Sequence, residues 1–211
     1  LERFVSASRS PLALGALFDR DRDALPSLLQ ILSAGQSLSD LLIRDPECYD
    51  LLRLTDGQPV ARELLVAELC TEVDLLNDDL AVMAALRRFK HRETLRIAYG
   101  DIIRRQNIET VTRQISFLAD AICEAALRHA TKRCEAKRGV PRLANGERTR
   151  CVILALGKLG GLELNYSSDI DLIVLYEGEG QSDEPHGVPN HEYFERLAKD
   201  LTKLLTEPTD L

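Results

Sequence analysis

Apolar residues recur every three or four positions from Pro11 to about Arg138, and then that rhythm stops. A repeat near 3.6 puts the apolar side chains on one stripe of a helix, so the first part of the chain must form helices that bury a face against one another. Turn signals at Ala34-Gly35, Asp45-Pro46 and Asp56-Gly57-Gln58-Pro59 divide this part. The spacing predicts a short helix through Ile43 capped by Ser37 or Ser39, a second opened by Asp45-Pro46-Glu47, and longer helices over 60–76, 78–103 and 108–137. In the last, Ile108, Val111, Ile115, Leu118, Ile122, Ala126 and Ala130 make a stripe whose plain reading is bundle core.

Beyond Lys137 the segment KRGVPRLANGER reads as a linker or turn. CVILAL (151–156) and IDLIVLY (170–176) are short apolar runs rich in β-branched residues, the pattern of strands buried on both faces, and a helix follows from about His191 to Thr206. The expected fold class is therefore α+β: an all-helical bundle over residues 1–140, then an α/β domain over 141–211. Two strands and one helix are too few to make a stable sheet, so this second domain reads as the opening part of a larger one.

Composition narrows the functional classes. Leu and Ala are abundant, aromatic residues make up 5% and Trp is absent, which favours helix over an all-β fold. A formal charge of −7 argues against coating nucleic acid by charge alone, so no nucleic-acid partner is expected. Five cysteines, Cys48, Cys70, Cys123, Cys134 and Cys151, are scattered without a CxxC pair, which fits reduced, buried thiols and a cytoplasmic address rather than disulfides or a zinc site. Nothing approaches the run of about 20 apolar residues a membrane helix needs, and LERFVSASRS lacks the core of a signal peptide. No membrane partner is expected.

The stretch ALRRFKHRETLRIAYGDIIRRQ is a basic island in an acidic chain, with Arg88, Arg92 and Arg96 on one helical face. Such a face would suit a phosphate or an acidic partner, but charge runs are most often solvated, and that is the expectation here.

Chemistry concentrates in GKLGGLELNYSSDIDLIVLY, residues 157–176. In a strand, Asp169 and Asp171 share a face, roughly 6.6 Å apart along the chain at two strand rises. Two carboxylates packed at the start of a buried strand need a compensating cation, and an oxygen-only pair with room for phosphates suits Mg²⁺. Just upstream, CVILAL runs into Gly157-Lys158-Leu159-Gly160-Gly161, where absent side chains let backbone N–H groups approach a phosphate, a short helix can open and Lys158 adds a charge. This is not the GxxxxGK[ST] phosphate loop. The plain reading is a polar turn entering a strand, with Ser167, Ser168 and Asp169 as local caps. Strand, Gly-Lys turn, ten residues from Leu159 to Ser168, then Asp-hydrophobic-Asp opening a second strand agree better on one phosphate site.

This stretch resembles the core motif of the glutamine synthetase adenylyltransferase and adenylyl-removing enzymes, members of the nucleotidyltransferase superfamily related to polymerase β. Gly157-Lys158 stands where the superfamily has a Gly-Ser turn, as is characteristic of this family. LLIRDPECYDLL, LRRFKHRETLRIAYGDII and ISFLADAICEAAL are similar to the helical region that precedes its catalytic domain. The resemblance implies a polymerase-β-like nucleotidyltransferase domain, glutamine synthetase and ATP, ADP and phosphate as partners, and possible contact with a PII signalling protein. It implies Asp169 and Asp171 as Mg²⁺ ligands and Gly157, Lys158, Gly160, Gly161 and Ser168 as the phosphate and nucleotide cradle. ELNYSSDIDL is closer to the N-terminal half of the family enzyme, which strips AMP from a tyrosine of glutamine synthetase by phosphorolysis, than to the half that attaches it from ATP. A third reading is a non-catalytic module that docks glutamine synthetase or PII. The superfamily pattern also calls for a third carboxylate, for which Asp210 is the candidate at hand. His91, His129, His186 and His191 form no motif, and GEGQSDEPHGVPN (178–190) has the composition of a mobile loop.

Overall fold

The computed structural model describes residues 1–185 and 187–207. The chain forms two compact units, residues 1–60 with 89–115 and residues 61–88 with 116–211.

The first unit is helical. It holds α1 (Glu2–Ala7), α2 (Pro11–Arg20), α3 (Ala24–Ala34), α4 (Gln36–Arg44) and α5 (Cys48–Thr55), with the later half of α7 (Asp79–Ile102) and the opening turns of α8 (Ile108–Arg138). Phe4, Leu28, Ile31, Leu42, Tyr49 and Leu95 form its core. Phe4 meets Tyr49 edge-to-face at 6.2 Å, and the Tyr49 hydroxyl donates to the Ala24 carbonyl, so the buried phenol is satisfied. The expected caps of α4 are not Ser37 and Ser39. The helix starts at Gln36 after Gly35, which places Ser39 within it, and its hydroxyl donates to the Leu32 carbonyl at 2.6 Å. Asp56 and Gly57 end α5 in the left-handed region, with φ of 57° and 64°. A side chain on Gly57 would lie 2.7 Å from Gly100 Cα, so two glycines let this turn press against α7.

The basic island belongs partly to this unit; Arg88, Lys90, Arg104 and Arg105 are exposed as expected of a solvated face, but Arg96 is not. The Arg96 side chain is only 6% exposed. Its guanidinium donates to Glu93 Oε2 at 2.6 Å, the Gln58 carbonyl at 2.6 Å and Gln114 Oε1 at 2.9 Å. Gln114 also exchanges two 2.9 Å bonds with the backbone of Val60. Arg92 pairs with Glu93 at 2.9 Å and lies over the Phe89 ring at 4.8 Å. A helical wheel shows Arg88, Arg92 and Arg96 on one side but not what packs there, and in Arg96's case a loop and a second helix do.

The second unit contains α6 (Arg62–Asp74), the first half of α7, most of α8, and everything after it. Val111, Leu118, Ala126 and Ala130 of the α8 stripe are buried as expected, whereas Ile108 at its start is 66% exposed. His129 is buried on α8 with Nε2 2.9 Å from Asp79 Oδ1, and Arg133 also pairs with Asp79. Burial, then the nearby Lys132 charge, hold the His129 pKa below its usual value, as befits a neutral core histidine. The cysteines are free, and burial pushes the Cys123 thiol up to about 12 and Cys134 up to about 11, so these are unreactive packing groups. Among the described residues no helix is long and apolar enough to cross a membrane.

Two small antiparallel sheets follow α8. β1 (Pro141–Leu143) pairs with β4 (Gly180–Ser182), and β2 (Cys151–Leu156) pairs with β3 (Asp171–Tyr176). The first sheet lies in segments expected to be a linker and a mobile loop, because three-residue strands containing Pro141 and Gly180 show no alternation to read. Asn190, at the start of α10 (Asn190–Thr206), is fully buried, and its amide nitrogen reaches Gly178 O at 2.9 Å, Thr149 Oγ1 at 3.0 Å and Arg142 O at 3.1 Å. Asn190→Ala is expected to cost about 2 kcal/mol by stranding these acceptors, measurable as a lowered urea midpoint at unchanged m-value.

β2 and β3 are half-buried on one face and exposed on the other, a correction to the expectation of two buried faces. Leu172, Val174 and Tyr176 turn inward, and Tyr176 stacks on Phe194 of α10 at 4.7 Å. Val152, Leu154, Leu156, Ile173 and Leu175 are 42–51% exposed on the other face. An unbroken apolar run states that both faces avoid water but not that the described chain covers both.

Candidate functional site

The antiparallel register sets Leu156 opposite Asp171, so β2 ends where β3 begins. The chain then turns into the single helical turn α9 (Gly157–Gly160). Gly157 has φ of 55°, and a side chain there would approach Asp171 Oδ2 to 3.5 Å. The glycine turn and one carboxylate are thus immediate neighbours. Gly160 has a different reason to be glycine, since a Cβ would lie 2.6 Å from the Ala155 carbonyl. The turn closes through Gly161 N–H to Gly157 O at 3.1 Å and Glu163 N–H to Lys158 O at 2.7 Å. Leu162 sits in the left-handed region at φ of 58° to permit this. Lys158 projects into solvent, while Leu159 is buried.

From Leu164 the chain makes a second, tighter turn. Leu164 is buried, and its N–H donates to Ser116 Oγ of α8 at 3.3 Å. Asn165 Oδ1 accepts from Ser167 N–H at 3.0 Å, and Ser168 Oγ accepts from Asn165 N–H at 3.1 Å. Ser168 therefore spends an acceptor lone pair as a cap and its hydroxyl proton remains to donate. Asp169 follows, two residues before Asp171 and just outside the strand.

Both carboxylates are exposed, so the expected penalty of burying paired charges does not arise. What the fold supplies instead is the abutment of Gly157 and the Asp171 carboxylate, with Lys158 next to the one and Asp169 two residues before the other. Exposed hard oxygen donors with open space beside Gly157 fit a hard divalent ion such as Mg²⁺, which takes one or two protein carboxylates and fills its octahedron from water and phosphate. Among the described residues no three acidic, His or Cys side chains are grouped to hold a metal. Asp210 and His186 lie outside the described residues.

Sequence reading missed Asn165 and Ser116. The pattern Asn-x-Ser-Ser ahead of Asp carries an Asx-turn signal that was available. Ser116 carries none, being a serine inside a long helix 48 residues from the amide it binds.

Residues 25–210 match the family model described as glutamate-ammonia ligase adenylyltransferase. Among curated relatives, the chain is 32% identical over 187 residues to a protein from Thioalkalivibrio sulfidiphilus, covering 87% of this chain and 19% of the relative. A relative from Haemophilus ducreyi is 41% identical over 135 residues, covering 64% and 14% respectively. One from Xanthomonas axonopodis pv. citri is 31% identical over 214 residues, covering 99% and 21%. Each bears the name bifunctional glutamine synthetase adenylyltransferase/adenylyl-removing enzyme, and the chain spans about a fifth or less of their length. On the match across most of its length, the chain belongs to the glutamate-ammonia ligase adenylyltransferase family.

Proposed function

We propose that this chain carries the nucleotidyl-transfer turn of an enzyme that moves an adenylyl group on glutamine synthetase, acting in the removing direction. On this reading residues 141–211 open a polymerase-β-like nucleotidyltransferase domain, preceded by the helical region 1–140. The observation that carries it is the abutment of Gly157 and Asp171, which puts a side-chain-free approach for phosphate against a carboxylate. The Asp-x-Asp spacing and the relatives' printed names support the same chemistry.

Asp169 and Asp171 would hold Mg²⁺, which when bound neutralises phosphate oxygens and polarises the adenylyl phosphorus. Lys158 pairs with phosphate oxygens, and the missing Cβ at Gly157 and Gly160 lets the substrate approach the backbone. Gly161 contributes by closing the turn, and Ser168 contributes its hydroxyl proton beside the carboxylates. In the removing direction an oxygen of inorganic phosphate forms a bond to the adenylyl phosphorus as the bond to the tyrosine oxygen breaks. ADP leaves, and the phenolate takes a proton from solvent. Tyrosine's ordinary pKa of about 10 makes it a competent leaving group without a strong acid beside it. The residues named here act by holding and orienting charge rather than by covalent participation.

The test is direct. Full-length protein mixed with AMP-modified glutamine synthetase and phosphate should release ADP, and release should stop with EDTA and return with excess Mg²⁺. If instead ATP drives AMP onto unmodified glutamine synthetase and phosphate releases nothing, the direction is reversed. If neither reaction runs and calorimetry detects no nucleotide binding, the chain is a docking module.

A further inference from the structure

We propose that Ser116 is a positioning residue for the transfer turn, its hydroxyl bolting the segment between the glycine turn and Asp169 to helix α8. The inference rests on the functional reading above, and no substrate contact is assigned to Ser116.

Three observations meet here. First, Ser116 is fully buried on α8, and its Oγ accepts the Leu164 N–H at 3.3 Å. Second, Leu164 is the one buried residue between Gly161 and Ile170, so the loop's attachment is concentrated at the position the hydroxyl holds. Third, the loop on either side is tied internally, by Glu163 N–H to Lys158 O at 2.7 Å and by the reciprocal bonds of Asn165 with Ser167 and Ser168. A segment stiff within itself and fastened at one buried point moves as a body when that point is released. Such a shift changes where Asp169 stands relative to Asp171, which is separately fixed by the β2–β3 ladder. Two donors to one ion or phosphate need a defined separation, so a loop free to move weakens the reaction more than it weakens docking of a large protein substrate.

Without the hydroxyl, the Leu164 N–H is buried with no acceptor, and the segment gains by opening to water. In full-length Ser116→Ala, amide exchange followed by mass spectrometry should accelerate about 10-fold or more in the peptide spanning 162–169 while α10 stays protected. With the same protein, kcat should fall about 10-fold with KM for modified glutamine synthetase within about two-fold. Ser116→Cys, isosteric with a weaker acceptor, should lie between the two on both measures. Asn190→Ala serves as the control, destabilising the same unit without touching the loop, and its kcat should match wild type.

Unchanged exchange in Ser116→Ala overturns the proposal, as does faster exchange with unchanged kcat. An equal loss of kcat in Asn190→Ala also overturns it, because Ser116 would then matter only for stability. If the protein transfers no adenylyl group in either direction, the functional reading has failed, and the exchange comparison alone still decides whether Ser116 fastens the loop.

Discussion

Asp171→Asn in the full-length protein is expected to lower phosphate-dependent release of ADP by at least about 100-fold, with the helical content and unfolding midpoint unchanged. The asparagine keeps the shape but removes the charge from the carboxylate that adjoins Gly157 at the mouth of the turn. Because Asp171 is exposed, replacing it strands no buried partner and stability has no reason to fall. Asp169→Asn should act in the same direction, since on the proposed reading the two carboxylates would form one donor set. Rates within about three-fold of wild type for both substitutions would remove these aspartates from the mechanism. A large loss of stability would mean instead that the charges hold the turn together, contrary to their exposure.

The second large effect is on stability. Arg96→Met is expected to destabilise the protein by about 3–5 kcal/mol, read from denaturant unfolding, because it leaves Glu93 buried without its main partner. It also strips the donors from the Gln58 carbonyl and Gln114 Oε1, which together hold the segment after α5. Arg92 still reaches Glu93 at 2.9 Å, so the lower half of that range is the sharper expectation. The double change Glu93→Met with Arg96→Met removes both charges together and should recover part of the loss. An effect under about 1 kcal/mol for Arg96→Met would return this arginine to the class of solvated surface charges.

Much of the architecture was legible because local patterns and tertiary packing agree. Helices expected over 78–103 and 108–137 are observed at Asp79–Ile102 and Ile108–Arg138, and the strand expected over 151–156 is observed with those bounds. A period of 3.6 sustained over six or more turns has one low-energy solution, and so does a short β-branched run entering a glycine turn. Elements of three residues escaped, since β1 and β4 are defined by each other and not by their own composition. The candidate site was legible to the extent that it is local: the glycine turn and the two aspartates lie within 15 residues, from Gly157 to Asp171.

By itself, the sequence determined the long helices and the β2 and β3 strands, the order of glycine turn and carboxylates, and the family to which the chain belongs. Only the tertiary structure decided which charges are buried, which sheet face is covered, and what fastens the turn. Arg96 looks like its neighbours until Gln58 and Gln114 close over it, and Ser116 looks like any helical serine until Leu164 arrives. Likewise GKLGGLELNYSSDIDLIVLY does not disclose that its aspartates stand in solvent. Periodicity reports which side of an element avoids water, whereas burial of a particular polar atom depends on partners tens of residues away, whose approach no local pattern records.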